Sequence, residues 1–166
     1  MEGLEYSDEI LTETFLEGTK ISEREAMLLQ RAFADGRCDA KDVVALLGFY
    51  ELRYFDSRAY ELDRQMLILW MIQKMHSHPF LFQRLPQPIK SVDPKFYRKL
   101  KTAWRRNCKS SECTMQTLMN ASSHLMKDDL KLAREYFSIA QEQEPDNPKL
   151  PILISRLEHA EHITNE

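Results

Sequence analysis

Between successive breakers, apolar residues along this chain return every three to four positions, and no segment alternates strictly between apolar and polar. The spacing predicts helices throughout. A first helix runs from about Ser7 to Glu17, capped by Ser7, with Ile10, Leu11 and Phe15 on one side and Gly18 placed to end it. Ser22 and Glu25 form a capping box that opens a second helix, in which Ala26, Leu29, Ala32 and Phe33 share a face and Gly36 is the stop. A third helix starts at Asp39 or Ala40; Val43, Val44, Leu47, Phe49 and Tyr50 supply its apolar contact, and Gly48 allows a neighbour to approach closely. Asp56 or Ser57 caps a fourth, with Leu62, Met66, Leu69, Trp70 and Gln73 along it, which ends near His76 ahead of Pro79.

Residues 80–93 read as a proline-containing connector, structured or mobile, with Pro86 and Pro88 within it. Asp93-Pro94 then gives an N-cap followed by a proline at the first helical position. The helix it opens carries Phe96, Leu100, Ala103, Trp104 and Asn107 as a core stripe. After a break at Ser110-Ser111-Glu112, a sixth helix holds Met115, Leu118, Met119, Ser122 and Leu125. A seventh, capped by Asp128 or Asp129, holds Leu132, Ala133, Tyr136, Phe137, Ile139 and Ala140. Pro145-Asp146-Asn147-Pro148 is an emphatic stop, and a last helix, about Lys149 to His162, turns Ile152, Leu153, Leu157 and Ala160 inward. The fold class expected is all-α, about eight helices in stacked antiparallel hairpins within one domain of 166 residues. In that reading the helix within residues 1–20 can be mobile and the helix at 149–163 caps the stack.

Composition narrows the class further. With 43% hydrophobic and 30% charged residues and only 4 Gly, the chain fits a globular protein and not a collagen-like, disordered or turn-rich all-β one. The first 18 residues hold no lysine or arginine and no apolar run of signal-peptide length. The longest apolar stretch, Met66 to Ile72, is seven residues, against about 20 for a membrane span. Three cysteines cannot all pair, which suits a reducing interior. A cytoplasmic protein is expected.

Ala133, Phe137, Ala140 and Pro145, with Ala121 twelve residues before Ala133, reproduce the small-aromatic-small-proline spacing of a tetratricopeptide-repeat (TPR) hairpin. Small side chains let two antiparallel helices approach, the aromatic fills the gap to the next hairpin, and proline ends the unit. Residues 113–148 therefore resemble one TPR unit, with Thr117, Asn120 and His124 where the pattern prefers large apolar residues. Leu47-Gly48-Phe49-Tyr50, Leu69-Trp70-Met71-Ile72 reaching Pro79, Asp93-Pro94, Trp104 and the closing repeat also resemble a group of small bacterial TPR-like proteins, over roughly Ser22 to Leu157. That resemblance implies a small helical-repeat adaptor and brings no reaction with it. Lysine and asparagine, which clamp a carboxylate in some such repeats, are replaced here by Ala45 and Phe49 and by Leu118 and Ser122. A carboxylate clamp is not expected.

The net charge of −3 conceals an asymmetry: Arg84 to Lys109 holds nine cations and one anion, and the rest of the chain 14 cations and 25 anions. On the helix after Pro94, Lys95, Arg98, Thr102, Arg105 and Lys109 lie opposite the core stripe, with Lys99 and Arg106 beside them. A basic amphipathic helix binds an acidic protein, a phosphate backbone or an anionic lipid surface. Alternatively its charge is balanced by the chain's own acidic helices, Glu2 to Glu17 or Glu142 to Glu144. Phe49, Tyr50, Tyr54, Phe55 and Tyr60 either line a peptide groove or pack within a hairpin. Candidate partner-binding residues are thus Tyr50, Tyr54, Lys95, Arg98, Lys99, Arg105, Arg106 and Lys109.

Cys108 with Cys113, His76 with His78, and His159 with His162 are too few and too scattered for a zinc site, and no nucleophile elbow, Walker loop or dinucleotide fingerprint is present. No cofactor, metal or catalytic residue is expected. The expected partner is another protein with an acidic or extended segment, with nucleic acid, an acidic membrane or a second copy of the chain as alternatives.

Overall fold

A computed structural model describes residues 6–84 and 93–164, and among these every regular element is an α-helix. Nine are present: α1 (Asp8–Gly18), α2 (Glu23–Ala34), α3 (Ala40–Glu51), α4 (Arg58–Lys74), α5 (Phe80–Arg84), α6 (Pro94–Cys108), α7 (Met115–Leu125), α8 (Leu130–Gln143) and α9 (Leu150–Thr164). The chain divides into two compact units, Met1–Met75 and His76–Glu166. Residues 85–92, with Pro86, Pro88 and Lys90, lie outside the described residues, as do Glu2 and Glu5.

In the first unit α3 is the hub, touched by α1, α2 and α4. Its Val43, Val44, Leu46, Leu47, Phe49 and Tyr50 are all buried, so it is apolar around most of its circumference. Two glycines set the crossing with α1. A Cβ on Gly18 would fall 2.1 Å from the carbonyl oxygen of Ala45, and one on Gly48 would fall 2.2 Å from that of Phe15. Gly18 is the last residue of α1 and is there for this contact; the left-handed backbone that ends a helix belongs to Gly36, at φ 69°. Ser7, Asp39 and Ser57 cap α1, α3 and α4 through their side-chain oxygens, and Ser22 with Glu25 closes the capping box of α2.

The structure chooses a buried face for α4 that the sequence reading left open. Gln65, Leu67, Ile68, Met71 and Ile72 are buried, whereas Leu62 and Met66 are about half exposed at 47% and 54%. An apolar run of seven residues covers every direction of a helix, so periodicity alone does not choose the face.

The second unit is built around α7, ten of whose eleven residues are buried. It packs against α5, α6, α8 and α9, most extensively against α8. Ala121, Ala133 and Ala140 are fully buried, and Ser122 donates its hydroxyl to the carbonyl of Ala133 at 2.8 Å, which fits a close antiparallel approach of α7 and α8. The polar residues of α7 are buried with partners. Thr117 Oγ1 meets His76 Nδ1 at 3.0 Å, and Asn120 Nδ2 donates to the carbonyls of His76 and His78 at 2.9 and 3.0 Å. His124 accepts the indole N–H of Trp104. Thr117 thus partners the His76 ring, Asn120 the backbone at 76–78 and His124 the α6 indole, groups that an apolar substitute would leave unpaired. On α9, Leu150, Leu153 and Leu157 face inward while Ile152 is 50% exposed.

Candidate functional site

Helix α6 carries the charge asymmetry seen in the sequence. Asp93 accepts the Phe96 N–H at 2.9 Å and Pro94 occupies the first turn, while Arg105 and Arg106 sit in the last turn, where the helix dipole favours cations. Phe96, Tyr97, Leu100, Ala103, Trp104 and Asn107 are buried. Lys95, Arg98, Lys99, Thr102, Arg105, Arg106 and Lys109 are exposed. At 100° per residue the exposed side chains form two adjacent rows, Lys95-Lys99-Arg106 and Arg98-Arg105-Lys109, with Thr102 between them. Thr102 donates its hydroxyl to the Arg98 carbonyl at 2.8 Å.

Within the second unit the six cations of these rows make no ion pair with any described residue. Lys101, on the flank, is different: its ammonium pairs with Asp129, the N-cap of α8. Burial is the strongest single influence on Asp129 and opposes its charge, but the Lys101 hydrogen bond, the Leu132 N–H and the nearby Lys101 and Arg105 cations together hold its carboxyl below the usual range. Tyr97 is buried beside this pair, its hydroxyl without a hydrogen-bond partner among the described residues, and burial raises its pKa, with Asp129 and Asp128 adding to the rise. The Lys101–Asp129 pair was not legible in the sequence, because 28 residues separate its members.

The aromatic cluster belongs to the first unit and is largely internal. Tyr50 is 4% exposed and its hydroxyl lies 3.2 Å from Asp63 Oδ2, while the Phe49 and Tyr60 rings pack edge to face with centroids 6.1 Å apart. Tyr50 therefore offers no surface to a partner. Tyr54 is half-buried beneath the Arg64 guanidinium, which stands 4.2 Å from its ring centre; Phe55, stacked on Tyr54, is 82% exposed.

The histidines and thiols have other occupations. His78 Nδ1 accepts the Phe80 N–H, His159 and His162 are exposed on α9, and among the described residues no three His, Cys, Asp or Glu side chains are grouped to hold a metal ion. No described helix is long and apolar enough to cross a membrane. Arg84's side chain lies outside the described residues. Compared with protein-family models, with curated proteins and with solved structures, the chain matches none.

Proposed function

We propose that the chain is a non-catalytic, TPR-like helical interaction module that binds an acidic segment of another protein along the exposed face of α6. The observation that carries this reading is the double row of six exposed cations, without an ion pair among the described residues of their unit, on a helix whose opposite side is anchored by Phe96, Leu100 and Trp104. The α7–α8 hairpin, with its small residues in the interface, supports the repeat-like architecture.

Length and charge favour a short acidic segment over a nucleic acid. From Lys95 to Lys109 the strip spans about 21 Å, which matches six or seven extended residues at about 3.3 Å each. A duplex continues past both ends at about one charge per 1.7 Å. There the rest of the unit is unfavourable: apart from Lys95 to Lys109, the second unit holds seven cations and eleven anions. An acidic peptide can end where the strip ends.

The test is fluorescence anisotropy with a labelled eight-residue Glu-rich peptide at low salt, beside duplex DNA of equal charge and vesicles of anionic lipid. The peptide should bind, lose affinity as salt is added, and bind at least tenfold more weakly to the Arg98→Ala/Arg105→Ala/Arg106→Ala variant. These exposed substitutions change stability by no more than about 0.5 kcal/mol each, so the variant should stay folded. Tighter binding to DNA or to vesicles, or no peptide binding at low salt, overturns the proposal.

A further inference from the structure

Helix α4 is apolar on two sides. Inward, Leu67, Ile68, Met71 and Ile72 are buried in the first unit. On the side turned away from them, Ala59, Leu62, Met66, Leu69 and Gln73 fall within one sector of about 80°. They are spaced three, four, three and four residues apart, the a and d positions of two heptads, and so form a straight seam along the longest described helix. Leu62 is 47% and Met66 54% exposed, Ala59 and Gln73 are exposed, and Leu69 is half-buried. Within the first unit α3 takes the inward side. Helix α2 lies along one edge, where Gln30 Nε2 donates to Asp63 Oδ1 at 3.2 Å and the Phe33 and Trp70 rings meet edge to face. Met27, one turn before Gln30 on α2, is also half exposed and extends the apolar surface at that edge.

We propose that this face is a self-association surface on which a second copy of the chain seats its own α4, the two helices running parallel. The seam is its own complement: a two-fold axis along the helix pair sets Leu62 against Leu62 and Met66 against Met66. Charge selects both the occupant and the direction. Arg58 precedes the first seam position and Asp63 follows the second, so in a parallel pair each Arg58 comes beside Asp63 of the other copy, twice over by symmetry. The Asp63 carboxylate already receives Gln30 and Tyr50, and a carboxylate has room for about four donors. An antiparallel pairing centred on Met66 would instead bring Arg58 level with Lys74 of the other copy, two like charges. A second copy therefore supplies the spacing and the matching charges together. No residue of α6 takes part, so the surface stands independently of what α6 binds.

The full chain is sedimented at concentrations from micromolar to millimolar, where it should pass from monomer to dimer. Met66→Glu should raise the dissociation constant at least about tenfold, because the dimer would bury an unpaired carboxylate from each copy. Met66 is half exposed in the single chain, so circular dichroism and thermal unfolding of this variant should match the wild type. Direction is read by disulfide crosslinking, trypsin digestion and mapping by mass. Ala59→Cys should link to itself, giving two joined copies of residues 59–64. An equal mixture of Ala59→Cys and Gln73→Cys should give far less of residues 59–64 joined to residues 65–74. A chain that stays monomeric throughout leaves the face to another occupant and overturns the proposal. So does a dimer that Met66→Glu leaves intact, or linkage found only between positions 59 and 73.

Discussion

Trp104 of α6 donates its indole N–H to Nδ1 of His124 of α7 at 3.2 Å, with the two rings edge to face and both side chains buried. The bond assigns the lone pair of His124 to Nδ1 and crosses the interface that seats the cationic helix. Trp104→Phe keeps an aromatic ring but leaves Nδ1 without its donor, at a cost of about 1–3 kcal/mol for the orphaned acceptor beyond the lost contact area. His124 has further contacts, so the pair is best isolated by a double-mutant cycle with His124→Leu, followed by urea unfolding. The expected coupling is positive, with the double variant losing at least about 0.5 kcal/mol less than the sum of the singles. Strict additivity would mean that the indole bond contributes nothing to holding α6.

Gly48→Ala exchanges a helix-propensity gain of about 1 kcal/mol for a Cβ placed 2.2 Å from the Phe15 carbonyl oxygen. The obstacle is backbone, which no rotamer change can clear, so α1 must move off α3. A net loss of about 1–2 kcal/mol is expected, since overpacking of a close interface costs about 1–3 kcal/mol and more when rigid atoms collide. Gly18→Ala should behave alike, against the Ala45 carbonyl at 2.1 Å. Gly36→Ala is the contrasting case: nothing lies near its Cβ, and its cost of about 1–2 kcal/mol comes from φ alone. Thermal unfolding together with proteolysis near residues 19–21 separates the two mechanisms, because only Gly18→Ala and Gly48→Ala should speed cleavage there. Equal cleavage in all three variants would remove the role given to the α1–α3 contact.

Burial lowers the pKa of His76, while Glu112 works in the opposite direction. The folded value thus lies below the unfolded one of about 6.5. Between the two values the unfolded chain holds more protons, so stability rises with pH in that window. The contribution is fully present above the unfolded value, falls as pH drops through the window, and levels off below the folded value. In unfolding titrations from pH 7.5 to 4.5, His76→Gln should show a shallower acid slope than the wild type. Parallel slopes would show that the ring titrates alike in both states.

Much of the helix inventory was legible because it is written in short-range chemistry. Ser7, Ser22 and Asp93 each cap the helix they were expected to cap, and of the paired candidates Ser57 and Asp129 do so rather than Asp56 and Asp128. Asp42 and Thr117, which complete the capping boxes of α3 and α7, were not foreseen, because aspartate and threonine at the third helical position are a weaker signal than glutamate. Helix α5 was absorbed into the connector, since five residues give no period to read. The exposure of the α6 cations followed from amphipathic spacing, as Phe96, Leu100 and Trp104 fix which side is inward. For Tyr50, offered as a partner residue, the structure shows burial against Asp63, 13 residues away on α4, and an aromatic at helical spacing looks the same whether it lines a groove or fills a hairpin.

Helix α7 has consequences for how the second unit is assembled. Five of its ten buried residues, Thr117, Asn120, Ser122, Ser123 and His124, are polar, so it has little apolar surface with which to recruit neighbours by itself. Its bonds become favourable only once the 76–78 backbone, Trp104 and α8 are in position to receive them. Such a helix should dock late and all at once. Residues 76–164 should then behave as one folding block, in which removing any helix around α7 strands its polar side chains and unfolds the remainder.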